Sequence, residues 1–329
     1  MKILVTGAFG NIGKAVIEEA YVHGHEITVF EIDNQKTRKD AQRYKNKVRK
    51  VWFGDIRNPS DIQTAVQGCD AVIHLAAIIP PASKEHRELT MSVNIDGTVN
   101  LVNAIEETKR KIPLVFTSSG SVMGPTQTKN KIVERTDPLV VTGNYEESKI
   151  RCEEFLRENA DNYLIFRLAG VLPSFSIFSV VQALSFIEEI YDMHPEMRLE
   201  MISDADVATA LIMGAEKLQS ETTEKNQAYI LGGGENNGWR LIGGDFFTRI
   251  FATFSLSAPD RCYFTQDINA YHLDWYDTSE SQREFSYQNT TIKDYFTNMR
   301  KQFGVFRIPI KLFRKIIMKE IVKKSPYNH

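Results

Sequence analysis

The stretch Lys2-Ile3-Leu4-Val5-Thr6-Gly7-Ala8-Phe9-Gly10-Asn11-Ile12-Gly13-Lys14-Ala15-Val16 sets the reading of the whole chain. An apolar run of strand length, Lys2 to Thr6, leads straight into a glycine loop, and a helical pattern from Lys14 to Tyr21 follows at once. Gly7 permits a tight turn, Gly10 lets backbone approach a pyrophosphate, and Gly13 allows the helix to pack close on the strand with its N-terminus facing an anion. The same glycines could serve a plain strand-to-helix turn, but the flanking strand and helix favour a dinucleotide site formed by Gly7, Phe9, Gly10, Asn11, Ile12 and Gly13. About twenty residues further on, the run Glu26 to Phe30 ends in Glu31-Ile32-Asp33, where a carboxylate can accept hydrogen bonds from an adenosine ribose. Glu31 and Asp33 alternate along a strand, so at most one faces the ribose, and the strand end puts Glu31 first. That favours NAD over NADP. The basic stretch from Lys36 to Lys50 could hold a 2′-phosphate, but a solvated helix face is the preferred reading.

Outward from the loop, further apolar runs at Ala71 to Leu75, Pro113 to Thr117, Tyr163 to Arg167 and Ala228 to Leu231 alternate with amphipathic segments. This is the pattern of a parallel sheet covered by helices on both faces. The alternation fails between Leu172 and Asp206 and again after Gly232, which predicts a smaller second unit. The 329 residues, 42% apolar, fit two domains, and 40 basic against 42 acidic side chains leave a net charge of −2 that does not recruit nucleic acid. Cys69, Cys152 and Cys262 are far apart, so neither a disulfide framework nor a zinc site is expected. The N-terminus lacks a signal-peptide pattern, and a soluble, cytoplasmic protein is expected.

Four later segments follow: Gly54-Asp55-Ile56, Asp70-Ala71-Val72-Ile73-His74-Leu75-Ala76-Ala77, Ser118-Ser119-Gly120-Ser121-Val122-Met123-Gly124 and Tyr145-Glu146-Glu147-Ser148-Lys149. With the glycine loop, and in this order, they make residues 1 to about 172 resemble the extended short-chain dehydrogenase/reductase family, the NAD-dependent epimerase/dehydratase group. The resemblance implies a Rossmann-type doubly wound parallel α/β sheet over 1–172 and 202–233, with a smaller C-terminal α+β substrate domain over 173–201 and 234–329. It implies adenine contacts from Asp55 and Ile56, pyrophosphate and ribose contacts from Leu75, Ala76 and Ala77, and a structural asparagine at Asn94. Thr117 joins Asn94, Tyr145 and Lys149 in the expected cofactor set. A homodimer, paired through the helix of Tyr145 and Lys149 and the one from Asn94 to Glu107, is implied as well.

Tyr145 and Lys149 carry chemistry independently of any resemblance. Four apart, they share a helix face, and an ammonium beside a phenol favours the phenolate needed for general-base work near neutral pH. Ser119, at the end of an apolar strand, can hold the reacting oxygen. Gly120 and Ser121 stand where sugar-nucleotide 4,6-dehydratases resemble one another in carrying an Asp-Glu pair, so elimination is not expected. Only about thirty residues separate Pro173 from Ser203-Asp204-Ala205-Asp206, a short substrate insert. Epimerase-type hydride transfer, with a sugar nucleotide among the candidate substrates, is the leading expectation. The alternatives are a dehydrogenase or carbonyl reductase of a smaller apolar alcohol and a non-catalytic NAD-binding regulator.

Other features receive plainer readings. The stretch Phe175 to Ile187 reads as a core helix that could instead line an apolar pocket, and Asp277 or Thr278 is expected to cap a helix. His23 and His25 flank Gly24 with no third ligand nearby in sequence, and no metal is expected. At the C-terminus Leu312, Phe313, Ile316, Ile317 and Ile321 recur at helical spacing among Arg307, Lys311, Arg314, Lys315, Lys319, Lys323 and Lys324. Docking on the protein's own second domain is preferred over contact with an anionic membrane surface.

Overall fold

The computed structural model describes residues 1–129, 131–174 and 187–327. Strands β1 (Lys2–Thr6), β2 (Glu26–Glu31), β3 (Lys50–Phe53), β4 (Ala71–His74), β5 (Leu114–Ser119), β6 (Tyr163–Leu168) and β9 (Gln227–Leu231) form a seven-stranded sheet in the order β3-β2-β1-β4-β5-β6-β9. Every pairing in it is parallel. A three-stranded sheet holds β7 (Gly170–Leu172), β8 (Arg198–Ser203) and β10 (Arg240–Ile242), with β8 in the middle. This is the Rossmann-type α/β architecture. The strand order reverses between β1 and β4, and ligands of open parallel sheets bind beyond the carboxyl ends of the strands at that switch point.

Both faces of the large sheet are buried because alternate residues of one strand enter different cores. Ile3 and Val5 pack with Val16 and Ile17 of helix 11–22 and Leu211 of helix 204–219, whereas Leu4 packs with Ile62, Leu101 and Leu156 from the helices behind. Arg167 in the fully buried β6 is held by Glu153 of helix 144–159, Nη2 to Oε2 2.7 Å and Nε to Oε1 3.0 Å. A buried charge pair persists only when fully hydrogen-bonded, and Arg167 Nη1 also donates to the Arg135 carbonyl at 2.7 Å. The pair ties helix 144–159, which carries Tyr145 and Lys149, to the sheet.

Several expectations need correction. The basic stretch 36–50 is not one helix face: helix 35–44 ends at Tyr44, and Lys50 opens β3, whose alignment with β2 is a tertiary pairing. The expected boundary at 201/202 falls inside β8. Tyr276, Phe285 and Tyr287, assigned from sequence to the second domain, belong to the large sheet's core, while Leu172, Trp239 and Phe303 build a separate cluster. Of the two residues expected to cap helix 279–285, Asp277 does so by accepting from Ser279 N–H at 2.9 Å, and Thr278 makes no side-chain cap bond. The C-terminal helices dock on the second cluster only through Ile317, Met318 and Ile321; Leu312, Phe313 and Ile316 stay exposed. The apolar stretch from Phe175 lies outside the described residues up to residue 186. No helix among the described residues is long and apolar enough to cross a membrane.

Candidate active site

The glycine loop lies at the switch point. Gly7 has φ +68°, and a Cβ there would stand 2.7 Å from the Ala76 amide nitrogen, so only glycine lets the loop after β1 lie against the one after β4. A Cβ on Gly13 would meet the Ala8 backbone at 2.5 Å. Helix 11–22 has no capping side chain at Gly10 and no acid in its first turn, which leaves its N-terminal donors to an anionic ligand.

Glu31 reaches the loop: its Oε2 accepts from Phe9 N–H at 3.0 Å and its Oε1 from Ile32 N–H at 3.3 Å. Burial raises its pKa, against those backbone bonds and Lys36. Asp33 lies beyond the strand, exposed and paired with Arg38 through two contacts of 2.6 Å, so the structure brings Glu31 rather than Asp33 to the loop. Lys36 points back to the Phe9 carbonyl at 3.4 Å and to Asp40 at 3.7 Å. Asp55 is engaged by Arg57 at 2.5 Å, and buried Ile56 accepts from Asn100 at 3.0 Å through its carbonyl. Leu75 N–H donates to the Thr6 carbonyl at 3.1 Å and Ala76 N–H to Thr6 Oγ1 at 3.3 Å, carrying Ala77 along the same edge.

Asn94 does something different from the loop residues. Its Oδ1 accepts from Ile78 N–H at 2.7 Å, and its Nδ2 donates to the Ile78 carbonyl at 3.0 Å and to Ser148 Oγ at 2.9 Å. The amide is spent on the protein, so Asn94 positions the loop after β4 against helix 144–159. Asn94→Ala should cost about 1–3 kcal/mol in urea unfolding, since it strands buried polar groups.

Ser119 ends β5 and caps the following turn, its Oγ 3.2 Å from Ser121 N and 2.9 Å from Ser121 Oγ. Lys149 is buried, donates from Nζ to the Thr117 carbonyl at 2.8 Å, and lies 5.9 Å from the Tyr145 ring centre. Thr117 Oγ1 in turn donates to the His74 carbonyl at 3.1 Å. Burial pushes Lys149 down to about 8. Tyr145 keeps some exposed surface yet sits deep, and burial first, then Glu146, raises its phenol above the usual value while the hydrogen bond with Ser119 lowers it. The Lys149 ammonium is turned to the Thr117 carbonyl, and the hydrogen bond with Ser119 favours phenolate.

Two residues that sequence reading missed approach the same place from the second lobe. Tyr271 is deeply placed and feels the charges of Glu189, Asp192, Glu146 and Tyr145, and His272 Nδ1 is 3.0 Å from Thr142 Oγ1. They lie in an irregular segment with no periodicity to mark them. The histidines also differ from expectation, because the fold supplies a third group: His25 Nε2 lies 2.8 Å from Glu216 Oε1 and His23 Nδ1 3.5 Å from it. The three ligand atoms lie within 4.8 Å of one another. They join the end of helix 11–22 to helix 204–219 as a hydrogen-bonded cluster.

The model of the NAD dependent epimerase/dehydratase family matches residues 3–175. The chain is 28% identical over 253 residues to a 3-beta-hydroxysteroid dehydrogenase of Mycolicibacterium neoaurum, covering 71% of this chain and 66% of that protein. It is 30% identical over 119 residues to the decarboxylating sterol-4-alpha-carboxylate 3-dehydrogenase of Homo sapiens, covering 36% and 29%. The match thus spans less than two thirds of these relatives' own length. The fold is shared with the UDP-glucose-4-epimerase of Stenotrophomonas maltophila, crystallised with NAD and formylated UDP-arabinopyranose, at a TM-score of 0.75 and 19% identity over 94% of this chain and 99% of that one.

Proposed function

The chain belongs to the NAD-dependent epimerase/dehydratase family, and on that premise we propose that it is an NAD-dependent oxidoreductase acting at a secondary hydroxyl or carbonyl of an apolar alcohol. The observation that carries this is the convergence of Ser119, Tyr145 and Lys149 beside the glycine loop. NAD fits the residues present: a loop that tolerates no Cβ at Gly7, an uncapped helix N-terminus, and Glu31 at the ribose position. When bound, the nicotinamide supplies hydride transfer. The protein's part is to hold the reacting oxygen at Ser119 Oγ, to exchange its proton at Tyr145 Oη, and to fix the cofactor ribose with Lys149. A neutral phenol at rest is ready to protonate a carbonyl, and the same atom takes the hydroxyl proton in the reverse direction.

The apolar-alcohol reading is preferred to a nucleotide sugar for two reasons. Gly120 and Ser121 provide no acid pair for elimination. Curated relatives are named for sterol substrates or, as with a dihydroflavonol 4-reductase of Malus domestica, for flavonoid ketones, whereas the likeness to sugar-nucleotide epimerases is one of fold. The lobe around the three-stranded sheet is the substrate-holding part in this reading. NADH accumulation with a 3β-hydroxysteroid is the expected result. Interconversion of a UDP-hexose without net NADH would replace it with epimerisation, and firm NAD binding with no turnover of either class would leave a regulator.

Cofactor choice follows from the same geometry. Arg38 is already committed to Asp33 and Lys36 to Phe9 and Asp40, and the Glu31 carboxylate repels a 2′-phosphate. Calorimetric titration should show NAD binding roughly tenfold or more tightly than NADP. The reverse order would mean that Lys36 and Arg38 leave their partners for the phosphate.

A further inference from the structure

Six of the large apolar side chains that stay exposed among the described residues fall within residues 305–316: Val305 at 72% exposure, Phe306 at 48%, Ile308 at 61%, Leu312 at 76%, Phe313 at 57% and Ile316 at 62%. Ile308, Leu312 and Ile316 sit on two consecutive short helices, Arg307–Leu312 and Arg314–Val322, Phe313 joins the two, and Val305 and Phe306 lie in the turn just before them. Ordinary soluble surfaces scatter such residues singly, and a cluster of this kind marks a contact surface. Ile308, Leu312, Phe313 and Ile316 line one open hollow together with Lys311, Arg314 and Lys315.

The helices are not loose ends. Ile317, Met318 and Ile321 pack on the second lobe, Tyr191 Oη donates to the Ile321 carbonyl at 2.8 Å, and Tyr327 Oη reaches Asp192 at 2.9 Å. One face of the segment is therefore fastened to the lobe while the other is presented outward with its apolar groups uncovered. Residues 305–324 carry seven Lys and Arg and a single acid, Glu320, in a chain whose net charge is −2. We propose that this face is an interfacial docking surface for an anionic lipid membrane, its aliphatic and aromatic side chains entering the acyl boundary while the surrounding cations meet lipid phosphates and carboxylates.

Charge decides among possible occupants. A second copy meeting the patch about a two-fold axis would set like-charged clusters against each other, which disfavours self-association. Nucleic acid offers the charge but nothing for Leu312 and Ile316 to bury against. Interfacial binding uses both contributions at once, apolar area and attraction to anionic headgroups. It is also independent of what the active site turns over.

The test is cosedimentation of the full chain with phosphatidylcholine vesicles with and without phosphatidylserine. Binding to the anionic vesicles, weakened by salt and negligible on neutral ones, is expected. Leu312→Glu/Ile316→Glu and Lys311→Gln/Arg314→Gln/Lys315→Gln should each lower the partition coefficient roughly tenfold or more. Because these side chains are exposed, melting temperature and NAD affinity should not change. No binding to anionic vesicles would overturn the proposal. So would binding that survives Leu312→Glu/Ile316→Glu, which is adsorption by charge alone, or a dimer by light scattering that those two substitutions dissociate.

Discussion

Tyr145→Phe should lower turnover by roughly 10² to 10⁴ while NAD affinity stays within about twofold, because it deletes one hydroxyl and leaves the ring packing in place. The phenol is positioned by helix 144–159, which the Glu153–Arg167 pair anchors to β6, so the backbone should not respond to the loss. Burial and Glu146 hold the phenol up, and the hydrogen bond with Ser119 favours its ionised form. Single-turnover measurement of NADH formation, paired with calorimetric NAD titration, separates chemistry from binding. Near-normal turnover in the phenylalanine variant would remove Tyr145 from the proton path and with it the mechanism proposed above.

Lys149→Met should abolish activity and at the same time stabilise the protein. Burial depresses the ammonium from its usual value near 10.5 to about 8, its hydrogen bond going to the Thr117 carbonyl. Below pH 8 both folded and unfolded chains carry the charge, and the fold bears the full cost of burying it. Between pH 8 and about 10.5 the unfolded chain binds a proton that the fold does not, so wild-type stability recovers as pH rises. At pH 7 the methionine variant should be more stable on the order of 2 kcal/mol, after allowance for the carbonyl it leaves unpaired, and this advantage should shrink at pH 10. Turnover should fall at least as far as in Tyr145→Phe, and NAD affinity by roughly tenfold, if Lys149 also holds the cofactor ribose. Thermal melts at pH 7 and pH 10 beside NAD titration check both halves. A variant less stable than wild type at pH 7 would show that Lys149 is a structural lysine rather than a functional one kept at a cost in stability.

The large sheet was legible because its signals are local. Lys2 to Thr6, Tyr163 to Arg167 and their counterparts are apolar runs bounded by turns, and burial of a parallel strand on both faces leaves a continuous run rather than an alternation. The glycine loop was legible for the same reason, since the backbone conformation at Gly7 and the close approach at Gly13 admit no other residue. β3 escaped notice because Lys50-Val51-Trp52-Phe53 follows a basic stretch and gains its strand identity only from the register with β2.

The sequence by itself determined β1, β2, β4, β5, β6 and β9 in their order, the glycine loop, the acid at the end of β2 and the shared helix face of Tyr145 and Lys149, because each depends on residues within a turn or a strand of one another. Tertiary structure alone decided the rest. It turned the Lys149 ammonium to the Thr117 carbonyl, spent the Asn94 amide on Ile78 and Ser148, brought Glu216 to His23 and His25, and set Tyr271 near Tyr145. It also divided the C-terminal apolar stripe, burying Ile321 and leaving Leu312 in the open. The physical reason is common to all of these: burial and pairing are properties of what a side chain meets across the fold, and periodicity records which face a residue occupies without recording what, if anything, will cover it.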